Sequence, residues 1–219
     1  MLDQKIIMGQ LQSVLGLAEE SAASLYGQYS FGMTLFNLPS SFLPAVAVSL
    51  VPAISVAVAR RDHPEVNRIV SASFRIIAVL AIPAGVGLSV LAGPILRLLY
   101  PAQQETAAAA TYHLQFLGIT SIFVCVMLLT NSIMQAHEKV RLPIYTMLVG
   151  GAAKVAVNYL LVGNPDINIK GAPIGTLICY VLIALMNLAL VYGLLEHKPS
   201  YLGIFLKPAL ASAAMGGAA

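Results

Sequence analysis

The chain has no tryptophan, only two cysteines and very little charge: 12 Lys or Arg and 9 Asp or Glu among 219 residues, 10% in all. A soluble domain carries about a quarter charged residues, so an ordinary water-exposed surface is excluded. Cys125 and Cys179 each lie inside an apolar run with no C-x-x-C spacing and no histidine beside them. That excludes a disulfide framework and a zinc site, and leaves two buried, inert thiols as the expectation. Dinucleotide, Walker and H-E-x-x-H motifs are absent, as is any Ser/His/Asp set within plausible reach. No enzyme, cofactor, metal or nucleic-acid partner is therefore expected. Gly85 and Gly87 lack the third glycine of a phosphate loop and sit in an apolar stretch, where close helix packing is their expected role.

What the chain has instead is apolar bulk, 58% of its residues, with a mean hydropathy of +0.84. It is spread from end to end, which a single cleaved signal peptide cannot explain. The fold class is all-α, a polytopic helical membrane protein. The stretch around which the rest can be organised is Tyr26 to Ser55, which contains no Lys, Arg, Asp or Glu. As a helix it is about 45 Å long at 1.5 Å per residue, more than a hydrocarbon core of about 30 Å demands. Pro39, Pro44 and Pro52 interrupt it, each removing an amide donor. In a bilayer such breaks survive where neighbouring helices or a wet cavity satisfy the freed groups. The expectation is a bent spanning helix with Asn37, Pro39, Pro44 and Pro52 at the bend of a cavity wall; a long helix kinked for packing alone is the alternative.

The apolar runs place spans at about residues 26–58, 70–92, 112–135, 142–162 and 173–195, with partial helices at 1–17 and 205–219. Five complete spans and a partial one at each end make a single bundle. Asp62 is placed to cap the second span, with Pro64 and Glu65 in its first turn and Val66, Ile69, Val70 and Phe74 on one face. If the Tyr26 helix runs from outside to inside, Arg60, Arg61, Arg68, Arg75, Lys139, Arg141, Lys198 and Lys207 face the cytoplasm, against Lys5, Arg97 and Lys170 on the other side. Such an asymmetry sets orientation. Without tryptophan, interfacial anchoring falls to Tyr26, Tyr100, Tyr112, Tyr145 and Tyr201. His63, His113, His137 and His197 all lie near predicted boundaries and are expected to be solvated. Gly171 and Gly175 form a small-xxx-small pair that permits close helix approach.

One residue stands apart. Lys154 lies inside an apolar helix, about 12 Å short of its end at Val162. An ionisable group at that depth marks a functional site by default, and Asn158 shares its face one turn on. Either the ammonium snorkels to the interface, or it is paired; Asp3, at the outer end of the first partial span, is the acidic partner that topology offers.

Four segments together resemble one family: LYGQ at Leu25–Gln28, NLP at Asn37–Pro39, SLVPAIS at Ser49–Ser55, and IPAGVGLSVLAGPILRLLY at Ile82–Tyr100. A fifth is NYLLVGNPDINIKGAPIGT, Asn158 to Thr176. In combination they are similar to the C-terminal half of the MurJ and stage V sporulation protein B group, lipid-linked cell-wall precursor and polysaccharide flippases related to the MATE exporters. The resemblance implies the second helix bundle of a two-bundle transporter, truncated at both ends, in the cell membrane, with a lipid-linked saccharide as substrate and the missing N-terminal half as partner. It also implies a cation site near Asp3, Lys154, Asn158 and Thr176, where the lysine departs from the neutral or acidic ligand expected and could replace a bound sodium ion. The alternatives are a MATE-like cation-coupled exporter, whose acidic cavity residues are represented only by Asp3, and a non-transporting scaffold or inactive truncated product.

Overall fold

The computed structural model describes residues 2–13, 16, 18–164, 167–196 and 201–218. Among these it is all-helical: α1 (Leu2–Ser13), α2 (Glu19–Phe36), α3 (Leu43–Ala59), α4 (His63–Val90), α5 (Ala92–Leu99), α6 (Gln104–Ala136), α7 (Leu142–Val162), a 3-10 turn at Asn168–Lys170, α8 (Gly171–Leu194) and α9 (Tyr201–Ala218). Four helices are long and apolar enough to cross a bilayer: α4, α6, α7, and α8 with its preceding turn. The chain is a multi-pass α-helical membrane protein.

The helix ends follow from local chemistry. Asp62 Oδ1 accepts the Glu65 amide at 3.1 Å, Pro64 sits in the first turn, and Arg68 holds both carboxylate oxygens of Glu65 at 2.7 Å. Val66, Val70 and Phe74 then face the interior with Ile69 half-buried, the apolar face that the spacing predicts. α7 occupies the predicted 142–162, opened by Pro143 in its first turn.

The run at 26–58 departs from expectation. It is not one bent span but two helices, α2 and the shorter apolar α3, separated by turns over residues 37–42. The prolines explain why. Pro39 has no amide to offer Leu35, whose carbonyl instead takes the Leu38 amide at 3.1 Å; Pro44 has none for Ser40, which takes that of Leu43 at 3.1 Å. Side chains finish the accounting. Asn37 Nδ2 donates to the Met33 carbonyl, Ser40 to that of Asn37, Ser41 to that of Leu38, and the buried Cys125 thiol to that of Pro39. The Cys125 bond is the buried one of the four, and it reaches the carbonyl of Pro39 from α6. Pro44 therefore starts α3 rather than kinking it, and of these three prolines Pro52 lies inside a helix.

The hub of the bundle is α6, not the proline-broken run. Residues of α6 enter all three apolar clusters: with α3, α4 and α9 through Cys125, Leu129 and Ile133; with α1, α2 and α8 through Leu117, Val124 and Met127; and with α2 and α5 through Ala107, Ala110 and Leu114. Its closest neighbour is α4. A Cβ on Gly118 would stand 2.7 Å from the Ser89 nitrogen and 2.9 Å from the Gly85 carbonyl oxygen, and one on Gly85 would stand 2.7 Å from the Gly118 oxygen. Gly85 is thus a packing residue, as expected, and its partner is Gly118.

Candidate functional site

Of the predicted site residues, Lys154 and Asn158 lie on α7 and Thr176 on α8, two helices that pack against each other. Thr146, Gly150, Asn158 and Val162 are buried along one row of α7, four residues apart, and half-buried Lys154 occupies the middle of that row. The lysine therefore projects from the packed side of the helix, while Ile144, Leu148, Tyr159 and Leu160 form the exposed apolar side. The row meets α8 through glycines. A Cβ on Gly150 would collide with Ile183, one on Gly171 would stand 3.0 Å from the Leu161 carbonyl carbon, and one on Gly175 would collide with Oδ1 of Asn158. The Gly171/Gly175 pair, which alone would be a weak pattern, is the surface on which α7 rests.

Thr176 follows Gly175 on α8 and is fully buried. Its hydroxyl donates to the Ala172 carbonyl at 3.0 Å, so the 3.1 Å contact with the Tyr29 hydroxyl is one in which Tyr29 donates and Thr176 accepts. Tyr29 of α2 is itself fully buried and stands edge-on to the His113 ring of α6, centroids 5.9 Å apart at 87°. Asn158, Thr176 and Tyr29 thus bring amide and hydroxyl oxygens from three helices close together, with Lys154 one turn before Asn158 on α7. Neutral oxygens of this kind suit a small cation or a fixed ammonium. The structure brings Asn158, Thr176 and the Lys154 row together; the Asp3 side chain lies outside the described residues.

His113 corrects an expectation. It is 1% exposed rather than solvated, because it falls where α2 crosses α6 and packs between Tyr29 and Tyr112. Among the described residues its Nδ1 has no hydrogen-bond partner. His63 and His137 are boundary residues as expected: His63 Nε2 lies 3.4 Å from Glu196, and His137 Nδ1 lies 2.8 Å from the Ile133 carbonyl. His197 lies outside the described residues.

Two features escaped the sequence. Tyr29 looks like any aromatic of an apolar run, and the approach of α2 to α8 alone makes it a partner of Thr176. The second is a buried amide cluster, in which Asn187 Nδ2 of α8 donates to Thr130 Oγ1 at 3.1 Å and Asn131 Oδ1 at 2.9 Å on α6. Both asparagines lie within long apolar runs, the one available signal.

Three proteins of Bacillus subtilis (strain 168) are similar to this chain. An uncharacterized membrane protein, YabM, is 30% identical over 173 residues, 79% of this chain and 31% of that protein. Stage V sporulation protein B is 24% identical over 192 residues, 86% of this chain and 36% of its own length. Lipid II flippase MurJ is 23% identical over 164 residues, 75% and 29% respectively. The chain spans about a third of the length of the curated relatives it matches. No solved structure matches it at a significant level. The description of lipid II flippase MurJ as a family fits residues 7–219, from within α1 to the last residue. That match takes in the proline break, the α6 hub and the α7–α8 interface alike, and the chain belongs to the MurJ lipid II flippase family.

Proposed function

We propose that this chain is the second helix bundle of a flippase for lipid-linked oligosaccharide, a peptidoglycan or polysaccharide precursor, working by alternating access against a first bundle of the same transporter. The observation that carries the reading is the α2–α3 break. Residues 37–42 interrupt the uncharged stretch from Tyr26 to Ser55, with carbonyls at the break taken up by Asn37, Ser40, Ser41 and Cys125. A cleft of about 90 Å³ opens beside it, with Leu43, Pro44, Leu128 and Ser132 in its wall. Broken helices at membrane depth are tolerated where they are packed on protein or line a cavity, the arrangement on which rocking transporters are built. Membership of the MurJ family supports the substrate class. Lys154, Asn158 and Thr176, with Asp3, form the proposed ion-pair or cation site that ties α7 and α8 to α1.

In the full-length protein, Pro39→Ala with Pro44→Ala restores two amide donors and allows α2 and α3 to fuse. Lipid-linked saccharide transport in vesicles is expected to fall at least tenfold while thermal stability in detergent holds or rises. Normal transport by the double variant would show that the break serves packing alone.

A further inference from the structure

Outside the α7–α8 site, a groove among the described residues is lined by two cations, Arg75 and Lys207. It runs between α4 and α9 and encloses about 560 Å³, with Ser71 and Arg75 on one wall and Gly203, Lys207 and Pro208 on the other. The two helices are parallel. Phe74 meets Phe205 with ring centroids 6.2 Å apart, Met215 comes within 4.0 Å of a Cβ placed on Gly87, and Val86 and Val90 approach a Cβ on Gly216 at 3.2 and 3.3 Å. Residue numbers rise together along both helices, so Arg75 and Lys207 lie at one level.

On both helices that level marks the start of an uncharged stretch. Arg75 is followed by the apolar stretch to Val90, and Lys207 by the apolar stretch to Ala218. Both cations are exposed, and among the described residues neither is in a salt bridge with a carboxylate. Directly along α4, Ile76, Val79 and Leu80 are 51%, 59% and 47% exposed. A polar, doubly cationic mouth thus continues into an apolar outer surface, a shape that fits an amphiphile and not a free ion.

We propose that the α4–α9 groove binds the phosphate headgroup of an anionic membrane phospholipid, on the side of the bilayer where Lys and Arg concentrate. Arg75 offers a planar fork for two phosphate oxygens, and Lys207 a point charge beside it. The Ser71 hydroxyl, one turn before Arg75, supplies a further donor. A zwitterionic headgroup gains less here, because its own cation meets two like charges. Basic pockets between membrane helices recognise anionic headgroups by these means. The site is independent of what the transporter carries.

The test is titration of the purified full-length protein with phosphatidylglycerol, followed by native mass spectrometry, alongside phosphatidylcholine, a polyprenyl diphosphate and glycerophosphate. Phosphatidylglycerol is expected to bind best. Arg75→Gln and Lys207→Gln each weaken it about fivefold and together about thirtyfold, from the contribution of a basic residue near a charged membrane surface. Arg75→Lys with Lys207→Arg, which keeps both charges, restores most of the affinity and separates charge from fold. Arg60→Gln with Arg61→Gln, the same charge loss outside the groove, leaves it unchanged. Equal loss in that control pair means diffuse surface attraction and overturns the site, as does an unaffected groove double variant. Equal phosphatidylcholine binding, or tighter binding of glycerophosphate or the polyprenyl diphosphate, assigns the groove to another ligand and overturns the proposal as well.

Discussion

Lys154→Met in the full-length protein is expected to lower stability by about 3–5 kcal/mol, Asp3→Asn to do the same, and the two together to recover most of the loss. Removing one member of a buried ion pair strands the other charge, whereas removing both leaves none to strand. The proposed pairing, with Lys154 half-buried, makes this the largest effect expected. Lys154 lies in the row of Thr146, Gly150, Asn158 and Val162, all four of them buried, on the side of α7 that faces protein. A lysine on the opposite side would reach the interface along its own stem and tolerate methionine readily. Thermal denaturation of both single variants and the double closes the cycle. Simple additivity would dissolve the pair and return Lys154 to the interface. Transport is expected to stay impaired in the double variant even where stability recovers, because a neutral pair no longer mimics or excludes a cation.

Gly118→Leu is expected to cost about 3 kcal/mol or more, and to do so without touching the candidate site. A Cβ there meets the backbone of α4 on three atoms, the Ser89 nitrogen at 2.7 Å, the Gly85 oxygen at 2.9 Å and the Leu88 carbonyl carbon at 3.1 Å. Backbone cannot rotate aside as a side chain does, so α4 must move off the hub helix. Overpacking of this kind costs about 1–3 kcal/mol even where side chains yield. Gly151 on α7 gives the contrast. A Cβ there meets nothing within 4 Å, and Gly151→Ala is expected to be neutral or to stabilise by up to about 1 kcal/mol through helix propensity. Melting temperatures in one detergent check both. Equal effects at the two positions would mean that α4 and α6 do not pack backbone to backbone.

How much was legible in the sequence depends on which force decided each feature. The apolar runs at 142–162 and 173–195 are long, uniform and bounded by Pro, Gly and charge, and α7 and α8 follow them within about two residues. The Asp62 cap is a local device and was readable as one. The run at 26–58 misled because length and hydropathy describe a span, whereas the two prolines with Asn37, Ser40 and Ser41 make a turn that closes its own hydrogen bonds. Burial of His113 was invisible, since its position near a run's start says nothing of the crossing by α2. Tyr29 and Asn187 were missed for the same reason: their partners, Thr176 and the Thr130–Asn131 pair, lie more than fifty positions away. The i, i+4 relation of Lys154 and Asn158 needed only helical geometry and is present. Placing Asn158 against Gly175, beside Thr176, needed the fold.

The most direct test of the central proposal is translocation by the full-length protein in sealed vesicles, with a lipid-linked disaccharide diphosphate in one arm and a cationic drug in the other. The lipid-linked sugar is expected to become accessible on the opposite face far faster than in protein-free vesicles, and to do so more slowly with the Pro39→Ala/Pro44→Ala variant, while the drug gradient stays unchanged. Movement of the drug with no movement of the lipid-linked sugar would contradict the flippase reading and assign the bundle to a cation-coupled exporter.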